Sequence, residues 1–518
     1  MKSATLHKIL FVSTLLFYLF TRIVKIEDFP IYFFCDEAIV GTKAEELLEN
    51  NFKDRQNNFL PMTIKSTGYH MLGLNVHLNI PGVLFFGKKI WSIRFTTVLV
   101  ALLGCVYTAL IAKNIFRIKF YWLAVFFLGF SPIYFFLSRT GFPNAIFTAF
   151  YAGFIYYYLQ YRIKNSSYLY LSIFFAALAI YTFNIIWLPI VSMIIGLIIV
   201  DLPYHFRNAK TALFGCIFAV IIFLPLIKFN VDNIQLNTEY LRSRDSLITK
   251  EIPPQEKFDY IVRNYLNFFV PKFLFYYYPT YVPFFPFKDY GFYPLWAFPL
   301  YLIGLFILLL KLNRPYSRII LISLLTSPLP SAVMTEPQAT RIIPSAVPLT
   351  CVFLLGVKAI YDFRYKIIRW KSFNKLFYLI IFISVFIYSY KITKQSVTEG
   401  PLWYQDYKMM QYGAKQLFPE VNKSLDEYQH VDISSFTFDT ITVASFFLTK
   451  EKVSRVTFRD TRDYLRQKLT TDNTVIFSIP DEFEDLVKSQ YFSKIEIKKI
   501  IPAPNGSPAF YKIELKYR

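Results

Sequence analysis

Phe95-Thr96-Thr97-Val98-Leu99-Val100-Ala101-Leu102-Leu103-Gly104-Cys105-Val106-Tyr107-Thr108-Ala109-Leu110-Ile111-Ala112 carries no charge, and Lys113, Arg117 and Lys119 follow it closely. A helix of that length reaches across roughly 30 Å of hydrocarbon, and every backbone polar group in it is satisfied within the helix. The run predicts a span over about 91–112 that ends in a cationic loop. Similar runs occur at about 8–25, 120–137, 143–160, 168–183, 185–200, 211–228, 293–310, 317–334, 342–358 and 374–391. The expected fold is therefore mainly α, a polytopic transmembrane helical bundle of about eleven spans. The first run reads as a retained span, because no small-residue cleavage site follows Phe20.

The cations orient the bundle. Lys2 and Lys8 precede the first span, and Arg162 and Lys164, Arg207 and Lys210, and Lys311, Arg314 and Arg318 occupy later short loops. Lys358, Arg364, Lys366, Arg369, Lys371 and Lys375 lie before or at the start of the last run. Asp201 and Asp362 are the acids set against them. Short loops with this bias stay in the cytoplasm, which places the N-terminus inside and everything after Ile392 outside. The same placement gives the net charge of +21 a membrane-orientation meaning and argues against a nucleic-acid face. Hydrophobic residues at 55% and aromatics at 20% argue against a set of soluble domains. Cys105, Cys216 and Cys351 fall inside apolar runs, so the cysteines form no disulfide framework or metal set with Cys35.

Three outer segments are longer than turns. Residues 26–90 include a helical pattern in which Val40, Ala44, Leu47 and Leu48 share a face. Residues 229–292 are rich in Tyr, Phe and Pro. In 392–518 the long apolar runs stop, and helix-like stretches (407–417, 483–490) alternate with strand-like ones (474–478, 495–501, 509–515). The chain thus divides into a membrane part, 1–391, and an extracytoplasmic α/β domain, 392–518. Its expected home is the plasma membrane, with many passes and a bacterial source.

Most polar residues of chemical interest fall on the outer side. Asp36 and Glu37 follow Phe33-Phe34-Cys35; a partly desolvated carboxylate there suits general-base work, whereas Asp36 as a plain helix N-cap is the competing reading. Lys65 is a candidate cation for a phosphate. Arg139 occupies the tight turn Ser138-Arg139-Thr140-Gly141-Phe142-Pro143-Asn144, where snorkelling is the alternative. Glu336 and Arg341 flank Pro337-Gln338-Ala339-Thr340, and Arg341 either forks onto a phosphate or pairs with Glu336. Asn144, Asn184, Arg242 and Arg244 are further outer candidates. His70 and His77 stand seven apart without a carboxylate at ligand spacing, so no metal site is expected; no cofactor is required on the sequence, and a divalent metal has no support.

An acidic pair after the first span, a lysine some thirty residues on, and Gly87…Arg94 opening the second span resemble the GT-C glycosyltransferases. The pattern is similar to the branch of the protein O-mannosyltransferases and the bacterial lipid A aminoarabinose transferase. Ser131-Pro132…Ser138-Arg139, Arg341…Pro344 and Trp403…Tyr412-Gly413-Ala414-Lys415 fit the same branch, over about residues 5–391 and more loosely in the tail. The resemblance implies transfer of a hexose or pentose from a polyprenyl-phosphate-linked donor to an acceptor hydroxyl, with inversion. Asp36, beside Glu37, would be the base or acceptor-orienting acid, and Lys65 and Arg341 would hold the donor phosphate. Several relatives carry a second acid where this chain has Asn144, an amide that cannot serve as an acid. An outward site has no access to cytosolic nucleotide sugars, and a lipid-linked donor solves that supply problem. The acceptor, whether protein, lipid or glycan, is not written in the sequence. The main alternative is a carrier or flippase for a lipid-linked or polar substrate, but carriers place charges near the midplane and often repeat their halves. No repeat is visible here.

Overall fold

The computed structural model describes residues 3–65, 70–183, 186–276, 291–367, 371–399, 413–435 and 440–518. The expected apolar runs carry helices. Helix α1 (Ser3–Ile23) is the first; the outer segment after it holds α2 (Cys35–Glu49), a hairpin of β1 (Thr63–Lys65) and β2 (His70–Leu72), and α3 (Leu74–Phe86). Helix α4 (Ile90–Leu110) follows, and the next run is split into α5 (Leu123–Gly129) and α6 (Pro132–Leu137). Pro132 has no N–H and Ser131 before it is extended, so one helix cannot pass through.

Then come α7 (Pro143–Ile163), α8 (Tyr168–Thr182), α9 (Leu188–Val200), α10 (Leu202–Arg207) and α11 (Ala209–Asp232). The second outer segment contains α12 (Ile234–Ser243), α13 (Pro254–Phe268) and α14 (Pro271–Phe275). The rest of the bundle is α15 (Phe298–Leu310), α16 (Pro315–Thr326), α17 (Leu329–Ala332), α18 (Ala339–Ile342), α19 (Ala346–Ile367) and α20 (Lys371–Lys394). Among the described residues, four helical stretches are both long and apolar enough to cross a bilayer: Thr5–Ile23, Ile90–Ile115, Ala209–Asp232 and Thr340–Phe363.

The tail supplies α21 (Ala414–Glu427), β3 (His430–Ser434), α22 (Thr440–Phe447), α23 (Lys450–Val453), β4 (Val456–Arg459) and α24 (Asp463–Gln467). It ends with β5 (Thr474–Ser478), α25 (Pro480–Lys488), β6 (Phe492–Pro502) and β7 (Pro508–Tyr517). The chain forms two compact units. One contains Met1–Val24, Lys53–Leu78 and Arg94–Lys394; the other contains Lys25–Phe52, Asn79–Ile93 and Gln395–Arg518. The tail thus groups with two pieces of the first outer segment.

In the first unit, α15 and α19 approach until only glycine fits. A Cβ on Gly304 would strike the Val352 carbonyl, and one on Gly356 would strike that of Leu300. At the end of α7 far from Pro143, Asp201 is 2% exposed. It pairs with Arg162 at 2.7 Å and Arg318 at 3.3 Å and accepts from Tyr158 at 3.2 Å. One carboxylate therefore joins the ends of α7, α9 and α16. A charge this deep persists because it is paired and hydrogen-bonded.

In the second unit a five-stranded sheet runs in the order β4-β3-β5-β7-β6. β3 pairs parallel with β4 and β5, while β7 is antiparallel to β5 and β6. Strand β5 is buried at every residue, as its uninterrupted Val475-Ile476-Phe477 run requires of a strand covered on both faces. Glu482 is 1% exposed and accepts from Ser434, from the backbone N–H of Thr461 and from its hydroxyl, joining the carboxyl ends of β3 and β4 to α25. Helix α2 belongs to this unit. Its Ala38, Val40, Ala44 and Leu47 are buried, and the helix packs on α22; Phe33, just before it, meets Phe446 at 4.6 Å and Phe447 at 5.5 Å between ring centroids. Lys88 bonds Glu45 at 2.5 Å and the Ser445 carbonyl at 2.9 Å; Lys415 reaches Asp28 at 2.7 Å.

Candidate active site

The acidic pair heads α2. The N-cap is Phe34, in an extended conformation, so Asp36 and Glu37 both fall in the first turn. Glu37 is wholly buried, and its Oε2 accepts the Phe34 N–H at 3.1 Å. That is the glutamate half of a capping box, made without a hydroxyl at the N-cap. Asp36 therefore lies two residues past the N-cap, the position that the competing reading gave it. Asp36 is half-buried, and the positive end of the helix favours its charge.

Lys65 closes β1 and stands directly opposite His70. Its side chain is exposed. The hairpin is anchored at its base, where the Gly73 N–H donates to the Met62 carbonyl at 2.8 Å. A Cβ on Gly73 would drive into the Pro61 carbonyl, so that position accepts glycine alone.

Arg139 is completely buried, and its guanidinium donates to the carbonyls of Thr21 at 2.6 Å, Arg22 at 3.0 Å and Val24 at 2.8 Å. It caps the negative end of α1, a use for a cation that the sequence did not show. Arg22 is also buried. It donates to Ser138 and Thr21 and lies against the rings of Tyr18, Phe130 and Phe135 at 4.1–4.6 Å.

Asn144 donates to the Thr340 carbonyl at 2.8 Å, and Asn75 donates to the Gly141 carbonyl at 3.2 Å. These bonds draw the Arg139 turn, the turn before α19 and the start of α3 together. The segment after α12 joins them, because Thr335 donates twice to the Asp245 carbonyl and Leu247 N–H reaches the Val333 carbonyl at 2.9 Å. Arg341 heads the span at this junction and is 6% exposed. Its Nε donates to Gln338 at 2.9 Å, and Nη1 touches the Met334 sulfur. Among the described residues no carboxylate pairs with Arg341. Glu336 is exposed and forms no ion pair with it, so the simple Glu336–Arg341 bridge is not what holds it. Its electrostatic neighbours are Tyr240 and a second cation, Arg244. Arg244 and Arg242 are exposed at the end of α12. Asn184 lies outside the described residues. Among the described residues no three His, Cys, Asp or Glu side chains gather as a metal set.

Residues 81–229 match the family described as dolichyl-phosphate-mannose-protein mannosyltransferases. The apo crystal structure of ArnT from Cupriavidus metallidurans superposes with a TM-score of 0.59 at 11% identity, covering 99% of this chain and 98% of that one. The same protein bound to undecaprenyl phosphate gives 0.58 at 12% identity, with 98% and 97% covered. This chain has the GT-C fold. The apo oligosaccharyltransferase of Archaeoglobus fulgidus matches at 0.52 and 12% identity, over 91% of this chain and 69% of that one. No curated protein is significantly similar in sequence. With its apolar helices, the GT-C fold makes this chain an integral membrane protein.

Proposed function

We propose that the protein is an inverting glycosyltransferase that moves a sugar from a polyprenyl-phosphate donor to an acceptor hydroxyl on the non-cytoplasmic side. In this reading about eleven spans cross the plasma membrane of a bacterium, with the N-terminus inside and an α/β domain over 392–518 outside. The observation that carries it is Arg341, a guanidinium 6% exposed at the head of a span and paired with no carboxylate among the described residues. A buried cation is costly unless an anion completes it, and a planar fork matches a phosphate. ArnT, of the same fold, holds undecaprenyl phosphate, which supports the class of donor.

The chemistry assigns each group one task. The acceptor oxygen attacks the anomeric carbon from the face opposite the phosphate while Asp36 removes its proton. The bond from that carbon to the phosphate oxygen breaks, and the electron pair leaves on the phosphate. Arg341 and Lys65 stabilise the growing charge, with Arg244, Arg242 and Arg139 as lesser contributors to a positive field. Asn144 positions the Arg341 turn instead of supplying a second acid. In membranes that contain the donor, Arg341→Lys should raise the donor KM and lower turnover, since a point charge replaces the fork. Unchanged kinetics for Arg341→Lys and Arg341→Gln would remove the phosphate role.

A further inference from the structure

His70 is left without a task by the mechanism above. It stands directly opposite Lys65 across the antiparallel hairpin. Side chains at such positions share a face, with Cβ atoms about 4.5–5.5 Å apart, so an anion gripped by Lys65 lies within reach of the His70 ring. The ring is fixed by Phe229 of α11, whose centroid is 5.5 Å away. Nδ1 of His70 is buried and has no hydrogen-bond partner among the described residues. A buried ring nitrogen beside a lysine is poised for a group that arrives from outside the chain.

We infer that His70 is a second recognition group for the donor's phosphate, and that it favours the released polyprenyl phosphate monoester over the sugar-bearing diester by taking up a proton. The inference rests on the polyprenyl-phosphate reading. The diester carries one negative charge. When the bond to the anomeric carbon breaks, the phosphate keeps the electron pair and becomes a monoester with a second ionisation near pH 6. That second charge appears beside His70. A proton from solvent on the imidazole then matches it, and no other bond is made or broken.

The resting charge of His70 fits this role. Burial, and then the charge of Lys65, hold its pKa below the usual histidine value, so the ring is neutral while Lys65 stands alone or faces a diester. Of the groups on neighbouring elements, Lys65 acts on it. Helix α3 carries His77, and α11 carries Lys228 and Asp232 on either side of Phe229. A dianion adjacent to the ring reverses the balance and favours imidazolium.

The test is calorimetric binding of undecaprenyl phosphate to the full-length protein in detergent at pH 7, in buffers of different ionisation enthalpy. Binding to the parent should take up about half a proton more than binding to His70→Gln or His70→Asn, since the titration of the phosphate is common to all three proteins and the histidine is the titrating group that the variants lack. Affinity for undecaprenyl phosphate should fall roughly threefold to tenfold in both variants, and less for a polyprenyl phosphodiester. Equal proton uptake by the parent and both variants overturns the role of His70 and leaves the donor class standing. No binding of undecaprenyl phosphate by the parent overturns both.

Discussion

Asp36 and Glu37 are adjacent carboxylates with different work, and substitution separates them. Asp36→Asn keeps the shape and removes the proton acceptor; transfer should fall by about 10²–10⁴-fold at normal protein level, measured in membranes that turn over the donor. A silent Asp36→Asn would leave the residue as a favourable charge at a helix end. Glu37→Gln retains an acceptor for the Phe34 N–H and should be mild, whereas Glu37→Ala should cost about 1 kcal/mol of stability through the lost cap, read as a lower melting temperature in detergent. Arg341 was legible in the sequence because a charge at the head of an apolar run demands a partner or a task. Arg139 was half legible. Its charge was plain, but the carbonyls it caps are more than a hundred residues earlier in the chain, and no local pattern encodes that. His70 was weighed only as a metal ligand, because its partner Lys65 becomes a neighbour through hairpin register alone.

Two elements make their own tests. Gly73→Ala pushes a methyl group into the Pro61 carbonyl and should displace the Lys65 hairpin. Transfer should drop at least tenfold while the bundle's melting temperature changes little; full activity would show that the hairpin does not position Lys65. At the other end of α7, Asp201→Asn removes the negative charge shared by Arg162 and Arg318. Breaking such a buried pair costs about 3–5 kcal/mol, reduced here because Arg318 is partly exposed. The expected result is a clear loss of thermal stability, with the donor KM of the surviving folded protein unchanged. At this scale the helices were readable from apolar length, and α2 from its periodicity. Strands β3 and β4 were missed because each is short and mixes polar with apolar residues (His430-Val431-Asp432-Ile433-Ser434, Val456-Thr457-Phe458-Arg459), and only tertiary pairing makes them strands. The break between α5 and α6 was written in Ser131-Pro132 but read as part of one span.

For the whole molecule, the alternation of basic loops predicts that the C-terminus is outside. A reporter fused after Arg518 should be active in its extracytoplasmic form; activity only in the cytoplasm would require an even number of spans. The grouping of 25–52 and 79–93 with the tail was not legible, because it depends on contacts between segments more than three hundred residues apart. The most direct test of transfer from a polyprenyl-phosphate donor is the mass of lipid-linked and cell-surface material in cells with and without the protein. The account predicts that removal causes a polyprenyl-phosphate sugar to accumulate, that one sugar mass disappears from a surface acceptor, and that the parent restores both while Asp36→Asn and Arg341→Gln do not. Unchanged masses on removal, or full restoration by those two variants, would contradict it.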